Sequence, residues 1–113
     1  MTAYERALAS YDEAIALKPD YAEAHYSRGG VLMELKRPEE ALASFDRALA
    51  IRPDYPEALC NRGNALKELD RLDKALEAYD MALAARPDFV DALNNRGQYA
   101  RSIGTVCRGA GKL

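Results

Sequence analysis

Few residues in this chain could do chemistry, and their spacing argues against most of it. The one histidine, His25, has no second histidine with which to share a metal ion, and it falls in a column of packing positions. Cys60 and Cys107 stand far apart without metal-site spacing; they read as free thiols of a reducing compartment, a disulfide being the lesser alternative. No serine–histidine–aspartate or cysteine–histidine set has an arrangement suited to nucleophilic catalysis. The carboxylate pairs Glu39/Glu40 and Asp70/Asp73 fall at helix starts, where orphan amides and the helix dipole account for them. Gly109-Ala110-Gly111-Lys112 has the outline of a phosphate loop, but it lacks the first glycine at the required distance, the Ser/Thr after lysine and a preceding strand. The expectation is a binding protein and not an enzyme, with no cofactor and no metal.

The elements of the fold follow from an internal repeat. Residues 22–55 and 56–89 are identical at half of their positions. Arg28/Arg62, Gly29/Gly63, Leu32/Leu66, Ala41/Ala75, Ala48/Ala82 and Pro53/Pro87 all recur at the same offset, and the phase extends to Pro19 and Arg96. A period of this size marks stacked units, each burying its apolar face against a neighbour. At 113 residues, 49% hydrophobic and 30% charged, the chain makes one domain with a modest core of amphipathic helices.

Helical periodicity predicts six helices: 3–17, 22 to about 35, one opening at Pro38, about 57–69, about 72–85, and about 89–103. Lys18-Pro19-Asp20 ends the first, because a residue before proline leaves the helical region. Asp20/Glu23 and Asp54/Glu57 have capping-box spacing. Short connections make consecutive helices antiparallel neighbours. Gly29 and Gly63 are expected to face Ala41 and Ala75 where axes approach, with Tyr11, Phe45 and Tyr79 as core at the wider end. Arg28, Arg62 and Arg96 fall in a half-buried column and need partners. Asp12, Asp46 and Asp80 share their period, which predicts Arg–Asp pairs linking successive repeats.

The pattern His25-x2-Arg28-Gly29-x2-Leu32…Ala41-x3-Phe45…Pro53, given again from Leu59 to Pro87, resembles the tetratricopeptide repeat. The resemblance implies an all-α fold, a right-handed α-solenoid of antiparallel helix pairs. It divides the single domain into a half repeat (3–21), two full repeats (22–55 and 56–89), the first helix of another (90–103) and a tail (104–113). The leading aromatic of the family motif is replaced by His25, Leu59 or Leu93. The resemblance also implies a concave groove lined by the first helix of each pair. That face carries Glu23, Tyr26, Gly30, Met33 and Glu34, then Glu57, Cys60, Asn64, Lys67 and Glu68, then Asp91, Asn94, Gln98, Arg101 and Ser102. Members that bind chaperone tails hold a terminal carboxylate with lysine and arginine. Here those columns read Tyr26/Cys60/Asn94 and Ser27/Asn61/Asn95, so that clamp is missing. Asn61 and Asn95, each opening an Asn-Arg-Gly run, look instead like the asparagine ladder of the O-GlcNAc transferase repeats, which holds an extended peptide by its backbone.

The formal charge of −2, from 16 basic and 18 acidic residues, gives no field to attract nucleic acid. No run of about 18 apolar residues suggests a membrane span, nothing near Met1 resembles a signal peptide, and the expected location is cytoplasmic. The partner is expected to be a protein or peptide held in the concave groove. As an alternative, helices 3–17 and 90–103, each with an apolar face that a full repeat would cover, could join copies into a homo-oligomer, making the chain a self-assembling or array-extending structural module.

Overall fold

The computed structural model describes residues 2–102, with side chains to Gln98. Six helices follow one another: α1 (Ala3–Leu17), α2 (Ala22–Glu34), α3 (Pro38–Ile51), α4 (Pro56–Glu68), α5 (Leu72–Ala85) and α6 (Val90–Ser102). Each packs on the next, and α2 also touches α4 as α4 touches α6. This is an α-solenoid: α2/α3 and α4/α5 form complete pairs, with α1 before and α6 after them. The tail 104–113, with Cys107 and Gly109-Ala110-Gly111-Lys112, lies outside the described residues.

The turns inside the two pairs are built alike. Lys36 and Asp70 adopt left-handed backbone, with φ of 61° and 60°. The chain then folds back so that Arg37 N–H donates to the Leu32 carbonyl and Lys36 N–H to that of Met33, while Arg71 and Asp70 do the same to Leu66 and Lys67. These paired bonds satisfy the last carbonyls of α2 and α4 and set the next helix antiparallel. Pro38 takes the first position of α3 and Pro56 that of α4, where a missing N–H costs nothing.

The capping boxes expected at Asp20/Glu23 and Asp54/Glu57 do not form. Tyr21 and Tyr55 are the N-cap residues and neither cap has a side-chain bond. The glutamates are drawn elsewhere: Arg52 Nη1 donates to Glu23 at 3.0 Å and Arg86 Nη2 to Glu57 at 2.7 Å. A guanidinium at the end of the paired helix outcompetes a neutral backbone amide for the carboxylate. The capping box that does form is Thr2/Glu5, at the start of α1.

The core is narrow and rich in alanine. Ala41, Phe45 and Ala48 of α3 are fully buried, and so are Ala75, Tyr79 and Ala82 of α5. The two glycines work differently from expectation. A Cβ on Gly29 would lie 2.5 Å from the Phe45 ring, and one on Gly63 2.6 Å from the Tyr79 ring. Each glycine therefore makes room for an aromatic ring of the paired helix. Tyr11, the third aromatic of that column, is only half-buried, and α1 has no buried residue.

The expected ladder of ion pairs is present. Arg28 Nε donates to Asp12 and Arg62 Nε to Asp46, each at 2.6 Å, and Arg96 pairs with Asp80. Each pair ties the second helix of one unit to the first helix of the next. Arg28 also donates through Nη1 to the buried hydroxyl of Ser44 at 2.7 Å, so one guanidinium holds α1, α2 and α3 together. Ala78 stands where a matching serine would be, so no hydroxyl is there for Arg62 to reach.

Candidate functional site

The one histidine has a structural role. His25 is buried, and its Nε2 lies 3.0 Å from the Pro19 carbonyl, so the ring donates there and pins the turn before α2. Among the described residues no group of three histidine, cysteine or carboxylate side chains could hold a metal ion, and no helix is long and apolar enough to cross a membrane.

The first helices of the units, α2, α4 and α6, line a cleft of about 400 Å³. Its walls are Tyr26, Glu57, Cys60, Asn61, Asn64, Phe89, Asp91 and Asn95. The periodicity of a helix brings this about. Glu57, Cys60, Asn61 and Asn64 fall three and four apart and share one stripe of α4, and Asp91 and Asn95 do so on α6.

Inside the cleft the polar side chains form one chain of hydrogen bonds. Asn61 Nδ2 donates to Tyr26 Oη at 3.0 Å, and Asn64 Nδ2 donates to Asn61 Oδ1 at 3.1 Å. Asn64 Oδ1 accepts from Asn95 Nδ2 at 3.0 Å and from the Tyr79 hydroxyl at 2.5 Å. Asn95 also approaches Cys60 Sγ at 3.7 Å. Amides from two successive units are thus oriented along one line, and the core ring of Tyr79 anchors the middle. Side chains held in this way lose little further freedom when a ligand arrives.

Burial dominates the electrostatics. It pushes the Cys60 thiol up to about 11 and raises the phenols of Tyr26 and Tyr79 above their ordinary value, so all three stay protonated near neutrality. Burial also opposes ionisation of Glu57, but a backbone amide and the Arg86 guanidinium outweigh it and hold the carboxyl below its ordinary value. Among the described residues neither lysine nor arginine contributes to the cleft wall.

Of the residues placed on this face from sequence, the fold brings Tyr26, Glu57, Cys60, Asn61, Asn64, Asp91 and Asn95 together. Others do not line the cleft. Glu23 is bound to Arg52, Met33 packs against the cluster of Leu32, Ala41, Phe45 and Ala65, and Lys67 pairs with Glu68 at 3.4 Å. Glu34 accepts from the Tyr4 hydroxyl at 3.3 Å, and Asn94 and Gln98 are exposed. The side chains of Arg101 and Ser102 lie outside the described residues. Phe89 is the lining residue that sequence reasoning missed. The available signal was the column Tyr21, Tyr55 and Phe89, an aromatic at each unit boundary. A cation lies over each ring: Lys18 at 5.3 Å, Arg52 at 4.0 Å and Arg86 at 4.8 Å.

Family models described as tetratricopeptide repeat match residues 3–56 and 56–89. No curated protein matches the chain in sequence. Among solved structures, the first TPR of Spaghetti (RPAP3) bound to the HSP90 peptide SRMEEVD superposes with a TM-score of 0.86. Its identity is 23%, over 88% of this chain and 79% of that one. The second TPR domain of human RPAP3, in complex with the HSP70 peptide SGPTIEEVD, gives 0.82 at 25% identity, over 85% and 80%. MamA from Desulfovibrio magneticus RS-1 gives 0.82 at 26% identity, over 88% of this chain and 56% of that one. The chain thus spans little more than half of that relative.

Proposed function

This chain belongs to the tetratricopeptide repeat family, and from that premise we propose that it is a protein-interaction module whose cleft holds an extended segment of a partner by its backbone. The observation that carries the reading is the bonded line Tyr26–Asn61–Asn64–Asn95, which crosses from α2 through α4 to α6 along the cleft wall. Amides presented in register offer the alternating donors and acceptors that a peptide backbone needs, and they make no demand on its side chains.

The same wall argues for the class of segment. The related second domain of human RPAP3 carries a peptide ending in Glu-Glu-Val-Asp. Here the cleft has two carboxylates, Glu57 and Asp91, and among the described residues no cationic side chain on its wall. An acidic tail would meet the charge of Asp91, which makes no ion pair among the described residues, while Arg86 beside the wall is already engaged by Glu57. We therefore favour a neutral or basic internal segment over an acidic C-terminus.

The test is a binding titration of the full chain with three extended peptides of equal length: neutral, basic and acidic with a free carboxyl end. The neutral and basic peptides are expected to bind, and Asn61→Ala or Asn95→Ala to weaken them about tenfold or less, as loss of one or two hydrogen bonds does. Preferential capture of the acidic peptide, abolished by amidating its end, would overturn the reading.

A further inference from the structure

The outer faces of α1 and α6 match each other as the inner faces of the complete pairs do. In α3 and α5 the alanine–aromatic–alanine column is fully buried. In α1 the same column is Ala7, Tyr11 and Ala14, all only half-buried. The complementary column on the first helices behaves likewise. His25 and Leu59 are 5% exposed, whereas Leu93 is 50% exposed and the adjoining Val90 70%. The glycines show it most clearly. A Cβ on Gly29 or Gly63 runs into the ring of Phe45 or Tyr79, while one on Gly97 meets nothing within 4 Å among the described residues. Gly97 is a socket of the same shape without its ring, and Tyr11 is a ring of the same column without its socket.

Charge repeats the match. Within each complete pair the cation closing the second helix reaches the carboxylate opening the first: Arg52 to Glu23 and Arg86 to Glu57. One period away, these columns hold Lys18 at the end of α1 and Asp91 at the start of α6. Neither makes an ion pair among the described residues.

We propose that copies of this chain join head to tail, α1 of one copy docking on α6 of the next. Tyr11 then enters the socket at Gly97, Lys18 meets Asp91, and the junction repeats the packing of α2 with α3 and of α4 with α5. The occupant of the α6 face, exposed among the described residues, is a second copy, because α1 carries the ring, the flanking alanines and the cation at the spacing that the two internal pairs use, and its ring is only half-buried. Such a contact is heterologous, and because the junction repeats the internal packing, successive copies continue one solenoid and assembly grows with concentration.

Sedimentation equilibrium of the full chain in reductant tests this, with the fold of each variant checked by circular dichroism. The mass is expected to rise continuously with concentration. Gly97→Leu fills the socket and should abolish the rise while leaving the helical signal intact. Lys18→Glu and Asp91→Lys each place like charges at the junction, and each should weaken assembly about tenfold. An equimolar mixture of these two variants should restore it. In an alternating chain the two introduced charges face each other at one junction and the native Lys18 and Asp91 at the next, so opposite charges meet at both. A chain that stays monomeric into the millimolar range overturns the proposal. So does assembly indifferent to Gly97→Leu, or failure of the mixture to exceed its components. A Gly97→Leu chain that is monomeric, like its parent, and melts several degrees lower would show instead that residues beyond 102 cover α6 from within the same chain.

Discussion

Gly29→Ala and Gly30→Ala make the same chemical change at neighbouring positions of α2, yet they should move stability in opposite directions. Each gains about 0.8–1 kcal/mol of helix propensity from the loss of glycine's backbone freedom. A Cβ on Gly30 meets nothing within 4 Å among the described residues, so that gain is kept whole. A Cβ on Gly29 falls 2.5 Å from Cε1 of Phe45 and 2.8 Å from Cδ1 and Cζ. Since carbon contacts rest at about 3.5 Å, the ring must retreat by about 1 Å. Phe45 is fully buried among Leu32, Ala41 and Ala65, so it cannot swing into solvent and must push α3 away from α2. Overpacking of this kind costs about 1–3 kcal/mol. A rigid ring backed on every side belongs at the upper end, which leaves Gly29→Ala less stable by about 1–2 kcal/mol after the propensity gain. For a chain of this size, at about 5 °C per kcal/mol, Gly30→Ala should melt about 4–5 °C higher and Gly29→Ala about 5–10 °C lower. Thermal melts by circular dichroism decide it. A Gly29→Ala chain at least as stable as its parent would refute the packing argument, because the ring would then have room that the geometry denies it.

Three further outcomes follow from the same structure. Arg28→Ala should cost about 1.5–2 kcal/mol in urea unfolding and Arg62→Ala about 0.5–1, because Arg28 adds a bond to a buried hydroxyl to its half-exposed ion pair. Lys36→Gly should raise the melting temperature, since it removes a left-handed strain of about 1 kcal/mol; Asp70→Gly should gain less, aspartate tolerating that conformation better. Burial raises Cys60 from 9.0 to about 11, so the folded state holds this proton more tightly than the unfolded one. Its contribution to stability is whole below pH 9 and is lost as pH rises toward 11, with Tyr79 extending the decline above that. At pH 8 alkylation at Cys60, read by peptide mass spectrometry, should be about a hundredfold slower in the folded chain than in denaturant.

Sequence revealed the features that depend on the period. The Arg–Asp ladder was visible because Arg28, Arg62 and Arg96 keep step with Asp12, Asp46 and Asp80, and helical periodicity within each repeat gave the six helices. Local rules served less well where long-range contacts compete with them. Asp20/Glu23 has the spacing of a capping box, but Arg52, 29 residues on, takes the glutamate. Gly29 reads as a helix contact facing a small residue, yet its neighbour is a phenyl ring, because helix spacing gives the face of a residue and not the depth of its partner. The cleft was legible as columns on one face of α2, α4 and α6. Its internal bonding was not, since the path from Tyr26 to Asn95 depends on side-chain rotamers. Phe89 escaped notice because it belongs to a turn, outside the helical stripe that defined the face.

The central claim is that the cleft grips a peptide backbone. It is tested most directly by taking one neutral peptide that binds and comparing it with two derivatives: a scrambled sequence of the same composition, and the parent sequence with its central amides N-methylated. Backbone recognition predicts that scrambling changes the dissociation constant by no more than about threefold, while N-methylation raises it at least about tenfold as the amide donors disappear. Affinity lost on scrambling and kept on N-methylation would contradict it, and would mean that side chains are what the cleft reads.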